Sequence, residues 1–239
     1  MGGMPQIASI ERAVVRCERC PELRAYCAQI AREKKRAYAG ATYWGKPVPA
    51  FGDPKARVVL VGLAPGAHGS NRTGRMFTGD ASGDFLFPAL YRAGFASQPD
   101  ATDRGDGLEL RDCFITAAGR CAPPKNKPTP QQLRNCFPYL VEEFAALTEL
   151  RVAIALGKTG FDAIVMALKA RGHAFERAPA FGHMAEFRAG DITVLASYHP
   201  SRQNTNTGVL TVPMFDAVFM RAKALLRGRA GGRTYPSSG

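Results

Sequence analysis

The feature that most constrains the fold of this 239-residue chain is a set of short apolar runs that alternate with helical segments. The clearest run is 57–63, RVVLVGL, and three others lie within 108–118, 151–156 and 191–197. Uninterrupted apolar runs of this kind are typical of strands buried on both faces of a parallel sheet. The alternation predicts a three-layer α/β/α fold around a central, four-stranded, mostly parallel sheet.

Helix signals lie between these runs. Asp80 or Ser82 can begin a helix that Gly94 ends, and Thr-Pro-Gln-Gln at 129–132 combines an N-cap, a first-turn proline and a capping box. Other helices are expected over 22–37, from 130 to about 147, over 158–169 and over 212–227. The segment 45–54 is rich in proline and glycine and is predicted to be a connector.

The length predicts a single domain over 1–227, with an N-terminal helical segment, 8–50, packed on it. The last residues, 228–239, are rich in Gly, Arg and Ser and are expected to form a disordered basic tail. No apolar run approaches the roughly 18 residues that a membrane span needs, and we see no signal peptide. We therefore expect a cytoplasmic protein, which would be associated with the nucleoid in a bacterium.

The charge balance points to a polyanionic partner. Thirty-two Lys and Arg residues stand against twenty Asp and Glu residues, so the net charge is +12. A field of this sign attracts nucleic acid, although a basic surface that only maintains solubility would have the same composition.

Polar residues gather after two of the predicted strands. The first loop, 62–80, contains glycines, two arginines, hydroxyl groups, Phe77 and Asp80, but it lacks the G-K-[ST] sequence of a phosphate-binding loop. The second loop begins at His199 and continues with hydrogen-bonding side chains to Gly208. Ligands of parallel α/β sheets bind at the carboxyl ends of the strands, where both loops are expected.

The chain has six cysteines, which a reducing compartment keeps from forming disulfides. Cys17 and Cys20 form a C-x-x-C pair, and Cys121 and Cys136 lie much further along the chain. Four such ligands suit zinc or an iron–sulfur cluster. The two remaining cysteines lie in apolar surroundings and are expected to pack in the core: Cys27 and Cys113.

Three ordered segments identify a relationship: GLAPGAHGSNRTGRMFTGDASGDFL, RCAPPKNKPTP and SYHPSRQNTNTG. Together with the early C-x-x-C and with PVPAFGDP, they resemble the signature segments of the family 5, or type B, uracil-DNA glycosylases. The resemblance covers the chain from about residue 12 to residue 227. It implies a monofunctional hydrolase that flips uracil out of DNA and cleaves its N-glycosidic bond, leaving an abasic site for base excision repair.

The resemblance also implies roles for individual residues. Asp80 is expected to position the attacking water, His199 to donate a hydrogen bond to the base, and Phe77 to stack on it. The expected pocket lining is Gly62, Leu63, Ala64, Gly66 and Asn126. The expected ligands of a structural [4Fe–4S] cluster are Cys17, Cys20, Cys121 and Cys136.

Two further expectations follow from position. Leu63 and Ala64 stand where many glycosylases of the superfamily carry an activating polar residue, so the pocket should also admit other deaminated bases such as hypoxanthine. The residues expected to contact DNA are Ser201, Arg202, Gln203 and Asn204, and Arg202 or Gln203 would fill the space that the flipped base leaves.

Other interpretations remain open for the sequence alone. Asp80 can serve as the N-cap of the following helix, alone or in addition to catalysis, and His199 can be a satisfied buried histidine. The competing function is a non-catalytic nucleic-acid-binding module with a zinc or iron–sulfur site. A metal-dependent nuclease is disfavoured because the loops contain only two acids, Asp80 and Asp84.

Overall fold

The structure is a computed structural model and describes residues 6–228. The expected tail therefore lies outside the described residues, except for Gly228, which is the last residue of the final helix. That residue was assigned to the tail, and the helix includes it.

A single six-stranded sheet forms the centre of the molecule. Its strands are β1 (Phe51–Gly52), β2 (Val58–Gly62), β3 (Cys113–Ala117), β4 (Val152–Leu156), β5 (Glu186–Ala189) and β6 (Ile192–Ser197), in the order β1-β3-β2-β4-β6-β5. The four central strands are parallel and correspond to the four predicted apolar runs. Every residue of these four strands is buried, as their uninterrupted apolar sequences predict.

The two outer strands are antiparallel and were not predicted. β1 has only two residues and lies in the segment that its proline and glycine content indicated as a connector. β5 alternates buried and more exposed positions because it forms an edge of the sheet. Its Glu and Arg residues interrupt the apolar run from which a buried strand is predicted. The central prediction of a mostly parallel sheet is confirmed, and the sheet is wider than expected.

Eight α-helices accompany the sheet within residues 6–228. They are α1 (Ile7–Val15), α2 (Pro21–Glu33), α3 (Ser70–Thr73), α4 (Ala81–Arg92), α5 (Pro130–Ala146), α6 (Lys158–Ala170), α7 (Arg202–Asn206) and α8 (Val212–Gly228). The predicted capping box of α5 is present: Thr129 and Gln132 exchange side-chain and backbone hydrogen bonds. The helix expected over 22–37 ends earlier, because Lys34 has a φ of 57° that an α-helix does not allow.

Two apolar layers separate the helices from the sheet. On one face, α4 and α8 pack against the side chains of Leu60, Ile115 and Ile154. On the other face, α5 and α6 pack against the intervening positions, such as Val59 and Val61. The period-two alternation of β2 thus supplies both layers, which confirms the α/β/α arrangement.

The N-terminal helices cover one end of this sandwich. In α1, Ile10 and Val14 pack on Tyr139 of α5, and in α2, Leu23 packs with Cys121. In the described part of the chain, no helix is both long and apolar enough to cross a bilayer.

Candidate active site

The two polar loops predicted from the sequence lie at the same end of the sheet, where the parallel strands have their carboxyl ends. The first follows the carboxyl end of β2, and the second follows the carboxyl end of β6. β4 lies between these strands, and Gly157, the residue directly after it, donates its N–H to Ser197 O. The parallel order of the strands therefore brings together residues that are more than a hundred positions apart in sequence.

Phe77 and His199 are in direct contact at this end of the sheet. Their ring centroids are 6.0 Å apart and their planes are inclined by 30°. Phe77 is 8% exposed and has a φ of 54°, so the loop holds it in a left-handed conformation. Its ring packs over Gly62, where an added Cβ would lie 2.6 Å from Phe77 Cζ. A glycine at the end of β2 is therefore required for this ring position.

The two oxygen atoms of the Asp80 carboxylate have different surroundings. Its Oδ1 accepts hydrogen bonds from the backbone N–H groups of Ser82, at 3.0 Å, and Gly83, at 3.2 Å, so Asp80 is the N-cap of α4. Its Oδ2 accepts no hydrogen bond within residues 6–228, and it is not among the fully buried unpartnered atoms. The capping role is thus confirmed, and the second oxygen remains free to bind a water molecule.

Two glycines of the first loop pack against that second oxygen. A Cβ added to Gly66 would lie 2.9 Å from Asp80 Oδ2, and one added to Gly69 would overlap it. Burial raises the pKa of Asp80, opposed by the hydrogen bonds from Gly83 and Ser82. The sequence analysis selected Gly66 but missed Gly69, since a glycine-rich loop does not indicate which glycine meets the carboxylate.

His199 follows Tyr198 at the end of β6 and is half-buried. Its Cβ would lie 3.1 Å from a Cβ added to Gly157. Burial lowers the pKa of His199 to about 4, so the imidazole is neutral at neutral pH. Within residues 6–228 neither ring nitrogen accepts or donates a hydrogen bond, and neither is fully buried. The alternative of a buried histidine satisfied by the protein does not match this geometry.

The two arginines of the first loop hold its shape. Arg72 donates from Nε to His68 O and from Nη2 to Gly79 O, both at 2.8 Å. Arg75 is 4% exposed and makes a bidentate ion pair with Asp106, at 2.8 and 2.6 Å. The composition of the first loop could not show that Arg75 forms a buried ion pair, because its partner Asp106 lies in a separate loop.

The second loop divides into supporting and exposed residues. Ser201 Oγ accepts from Asn204 N at 3.3 Å and caps α7, while Asn204 Nδ2 donates to His199 O at 2.9 Å. These two side chains fix the turn that carries His199. Arg202 and Gln203 are exposed.

The remaining predicted pocket residues differ in their surroundings. Gly62 is buried, and Leu63 and Ala64 are half-buried, with Leu63 O accepting from Gly119 N at 2.8 Å. Asn126 is exposed, has a φ of 55°, and makes no side-chain hydrogen bond within residues 6–228. The structure therefore gathers Gly62, Gly66, Phe77, Asp80 and His199 but leaves Asn126 at the surface.

The four cysteines expected to act as ligands come from three segments that meet beside the first loop. Cys17 and Cys20 lie between α1 and α2, Cys121 follows β3, and Cys136 lies on α5. Burial raises the pKa of Cys136, and the negative charges of Cys20 and Cys17 raise it further, so these sulfur atoms are within electrostatic reach of each other. Cys113 is fully buried in the core, as expected.

One of these four sulfur atoms accepts a hydrogen bond from a side chain: Asn135 Nδ2 donates to Cys20 Sγ at 3.2 Å. Cys27 is fully buried in a cluster with Leu23, Cys20 and Cys121, which confirms the expected core packing and makes it a fifth thiol beside the four expected ligands. In the described chain, no three His, Cys, Asp or Glu side chains form a group that could hold a single metal ion.

Comparisons with known proteins find similarity to one superfamily. The family model of the uracil DNA glycosylase superfamily matches residues 49–223. The chain is 51% identical over 210 residues to the type-5 uracil-DNA glycosylase of Thermus thermophilus, covering 87% of this chain and 93% of the relative. It is 46% identical over 211 residues to the type-5 protein of Pyrobaculum aerophilum, covering 88% and 89%. The type-4 uracil-DNA glycosylase of Pyrobaculum aerophilum is 26% identical over 223 residues, covering 93% of each.

Proposed function

Because this chain belongs to the uracil-DNA glycosylase superfamily and to its type-5 family, a family of N-glycosyl hydrolases, we propose that it removes uracil from DNA by hydrolysis and leaves an abasic site. The observation that carries the proposal is the junction of a capped carboxylate with one free oxygen, an aromatic ring and a neutral imidazole. These groups are Asp80, Phe77 and His199.

The reaction begins with the nucleotide outside the DNA stack, because the glycosidic bond is inaccessible within a duplex. Phe77 provides an aromatic face for the flipped base, and base–aromatic stacking contributes about 1–3 kcal/mol. The loop supports this ring from below through Gly62. Backbone groups of Leu63 and Ala64 line the same side of the pocket.

His199 acts as a neutral hydrogen-bond donor. Breaking the bond places negative charge on the departing base and positive character on the sugar. A donor that is already fixed in place stabilises the developing anion without reorganisation. With a pKa near 4, His199 remains an imidazole at neutral pH and donates a hydrogen bond without delivering a proton from an imidazolium.

Asp80 holds the attacking water through Oδ2 while Oδ1 remains bound to the start of α4. The ionised carboxylate also stabilises the positive character on the sugar. Asp80 therefore both caps α4 and positions the nucleophile. This role explains why glycine is found at positions 66 and 69, where any side chain would meet Oδ2.

The pocket is also proposed to accept hypoxanthine and other deaminated bases. Leu63 and Ala64 have no polar side chain to select one base edge, and specificity by apolar contact is weak. Recognition then depends on the stacking face and on the single imidazole donor, features that several damaged bases can share.

The proposed cofactor is a structural [4Fe–4S] cluster held by Cys17, Cys20, Cys121 and Cys136. The donor set is suitable: four thiols from three segments meet beside the first loop, and Asn135 Nδ2 donates to Cys20 Sγ, a kind of contact that is common at iron–sulfur sites. Within residues 6–228 these cysteines form no group that could hold a single metal ion, so a cluster suits them better than one zinc ion. When bound, the cluster would join the N-terminal helices to the loop after β3 and would take no part in hydrolysis.

DNA contact is proposed for the exposed side chains of α7. Arg202 and Gln203 project near the turn that carries His199, so one of them can occupy the gap left by the flipped base. Ser201 and Asn204 support this turn beside the phosphate backbone. Because the net charge is +12, binding should weaken steeply with salt. We further propose action in the cytoplasm, as a monomer, in base excision repair.

The decisive experiment uses an end-labelled duplex with one uracil, incubated without added metal. Half of each sample is treated with hot alkali before a denaturing gel. Strand cleavage only after alkali indicates base removal without lyase activity. Cleavage without alkali would contradict a monofunctional glycosylase, and no cleavage in either half would contradict uracil removal.

Two variants separate the roles of Asp80. Asp80→Asn retains a good N-cap, so stability should change little, whereas base removal should be lost with the carboxylate charge. Asp80→Ala should lose activity and also about 1 kcal/mol of unfolding free energy. Activity retained in both variants would show that Asp80 only caps α4.

A further inference from the structure

Two arginines near the cysteines have buried N–H groups with no acceptor within residues 6–228. The atoms are Nη1 of Arg24 and both Nε and Nη1 of Arg120. An unsatisfied buried donor costs about 1–3 kcal/mol, and a charged group costs more. Such atoms are rare in native proteins, and their concentration here points to an anionic acceptor.

Arg120 is fixed against α5. Its side chain is 1% exposed, and its Nη2 donates to Glu143 Oε2 at 2.6 Å. Glu143 lies two turns after Cys136 on α5, and the same carboxylate oxygen accepts from Thr116 at 2.7 Å. This pairing orients the guanidinium, and three buried atoms of the pair have no partner within residues 6–228: Nε and Nη1 of Arg120 and Oε1 of Glu143.

The position of Arg120 in the chain places it next to a proposed ligand. Arg120 directly precedes Cys121, which is buried in one cluster with Cys20 and Cys27. The buried guanidinium therefore belongs to the segment that carries this ligand.

Arg24 belongs to a different segment of the cysteine group. It lies on α2, one turn after Cys20 and one turn before Cys27. Leu23, the residue before Arg24, is packed in one buried cluster with Cys20, Cys27 and Cys121. No ion pair of Arg24 is present in the described structure.

A neighbouring arginine does not share this feature. Arg19 Nη1 donates to Asn135 O at 3.0 Å, and its guanidinium lies 4.7 Å from the centroid of the Tyr139 ring. Its contacts are accounted for by the protein. The unpartnered donors therefore set Arg24 and Arg120 apart from the general positive charge of the chain.

We propose that Arg24 and Arg120 donate hydrogen bonds to the sulfur atoms of the bound cluster and raise its reduction potential. This inference rests on the proposed cofactor. A [4Fe–4S]²⁺ core with four thiolates is an anion, and burying it without cations is unfavourable. Since reduction adds negative charge, nearby guanidinium groups stabilise the reduced form more strongly. Both arginines are positioning residues of the cluster and do not touch the reacting base.

The test uses the full chain purified without oxygen. Protein-film voltammetry measures the potential, and resonance Raman spectroscopy measures Fe–S stretching bands, which respond to hydrogen bonding at sulfur. The variants are Arg24→Gln, Arg24→Lys and Arg120→Lys. The matched control is Arg32→Gln, which makes the same change at an exposed position of the same helix.

Arg24→Gln should shift the potential to a more negative value and shift the Raman bands, and Arg24→Lys should retain most of the potential. Arg120→Lys should shift the Raman bands because lysine cannot replace both N–H groups, and Arg32→Gln should change neither readout. Full iron content with unchanged potentials and bands in Arg24→Gln and Arg120→Lys would overturn the inference. Wild-type protein that removes uracil but contains no iron would overturn it as well, while leaving the proposed activity standing.

Discussion

The Cα atom of Gly69 lies so close to the carboxylate of Asp80 that a methyl group at Gly69 would overlap Oδ2. This contact joins a loop position with no chemistry of its own to the carboxylate proposed to hold water. It explains why the loop between β2 and α4 must come so near to the helix that follows it.

Gly69→Ala should therefore displace the carboxylate and reduce uracil removal by about a hundredfold, since misplacing a reacting group by about 1 Å has effects of that size. Gly66→Ala should have a smaller effect, because its added Cβ would lie 2.9 Å from the same oxygen. Gly40→Ala is the control, as its Cβ would meet nothing within 4 Å. Single-turnover rates and melting temperatures would be measured together. Equal rates in all three variants would contradict the role of this contact.

Phe77→Leu should slow single-turnover removal of uracil by about five- to a hundredfold. The reason is the loss of a stacking face that contributes about 1–3 kcal/mol, while most of the buried apolar volume remains. Phe77→Tyr should retain most of the rate. Phe85→Leu is the control, because Phe85 packs on Phe215 within the α4–α8 layer. A wild-type rate in Phe77→Leu would exclude a stacking role.

The pH dependence of the single-turnover rate should have one acid limb, due to Asp80. Burial raises the pKa of Asp80, so the carboxylate is protonated at a higher pH than an exposed aspartate, whose pKa is about 3.9. Activity should then be complete at neutral pH and decline as the pH falls through this raised value. His199, with a pKa lowered to about 4, should add no limb near pH 6.5. A limb near 6.5 would instead indicate that His199 titrates in the accessible range.

Among the five neighbouring thiols, four should be required for iron and one should not. Cys121→Ala should lose iron and the broad absorbance near about 400 nm, because a cluster ligand is removed. Cys27→Ala should retain both, since Cys27 is not a proposed ligand and its Sγ donates to the backbone Ala122 O. Iron content and absorbance would be measured on protein purified without oxygen. If iron were lost in Cys27→Ala but retained in Cys121→Ala, Cys27 would be the ligand and Cys121 would not.

Local sequence was sufficient for the elements and for part of the site. Continuous apolar runs indicated the four central strands, and Thr129 with Gln132 indicated the start of α5, because these features depend on residues within a few positions of each other. Asp80 was identified both as a cap and as a candidate catalytic group. The motifs also identified Phe77 and His199, whose contact the structure then supplied.

Contacts between distant segments were decided only by the tertiary structure. The inward turn of Arg75 depends on Asp106 in another loop, and the position of Cys27 beside Cys121 depends on how α2 packs on the loop after β3. The edge strand β1 exists only because β3 offers it backbone partners. Local sequence patterns specified the four buried strands, the main helices and the groups that they carry. Folding decided which of those groups meet, because burial, ion pairing and strand pairing depend on neighbours that no local pattern specifies.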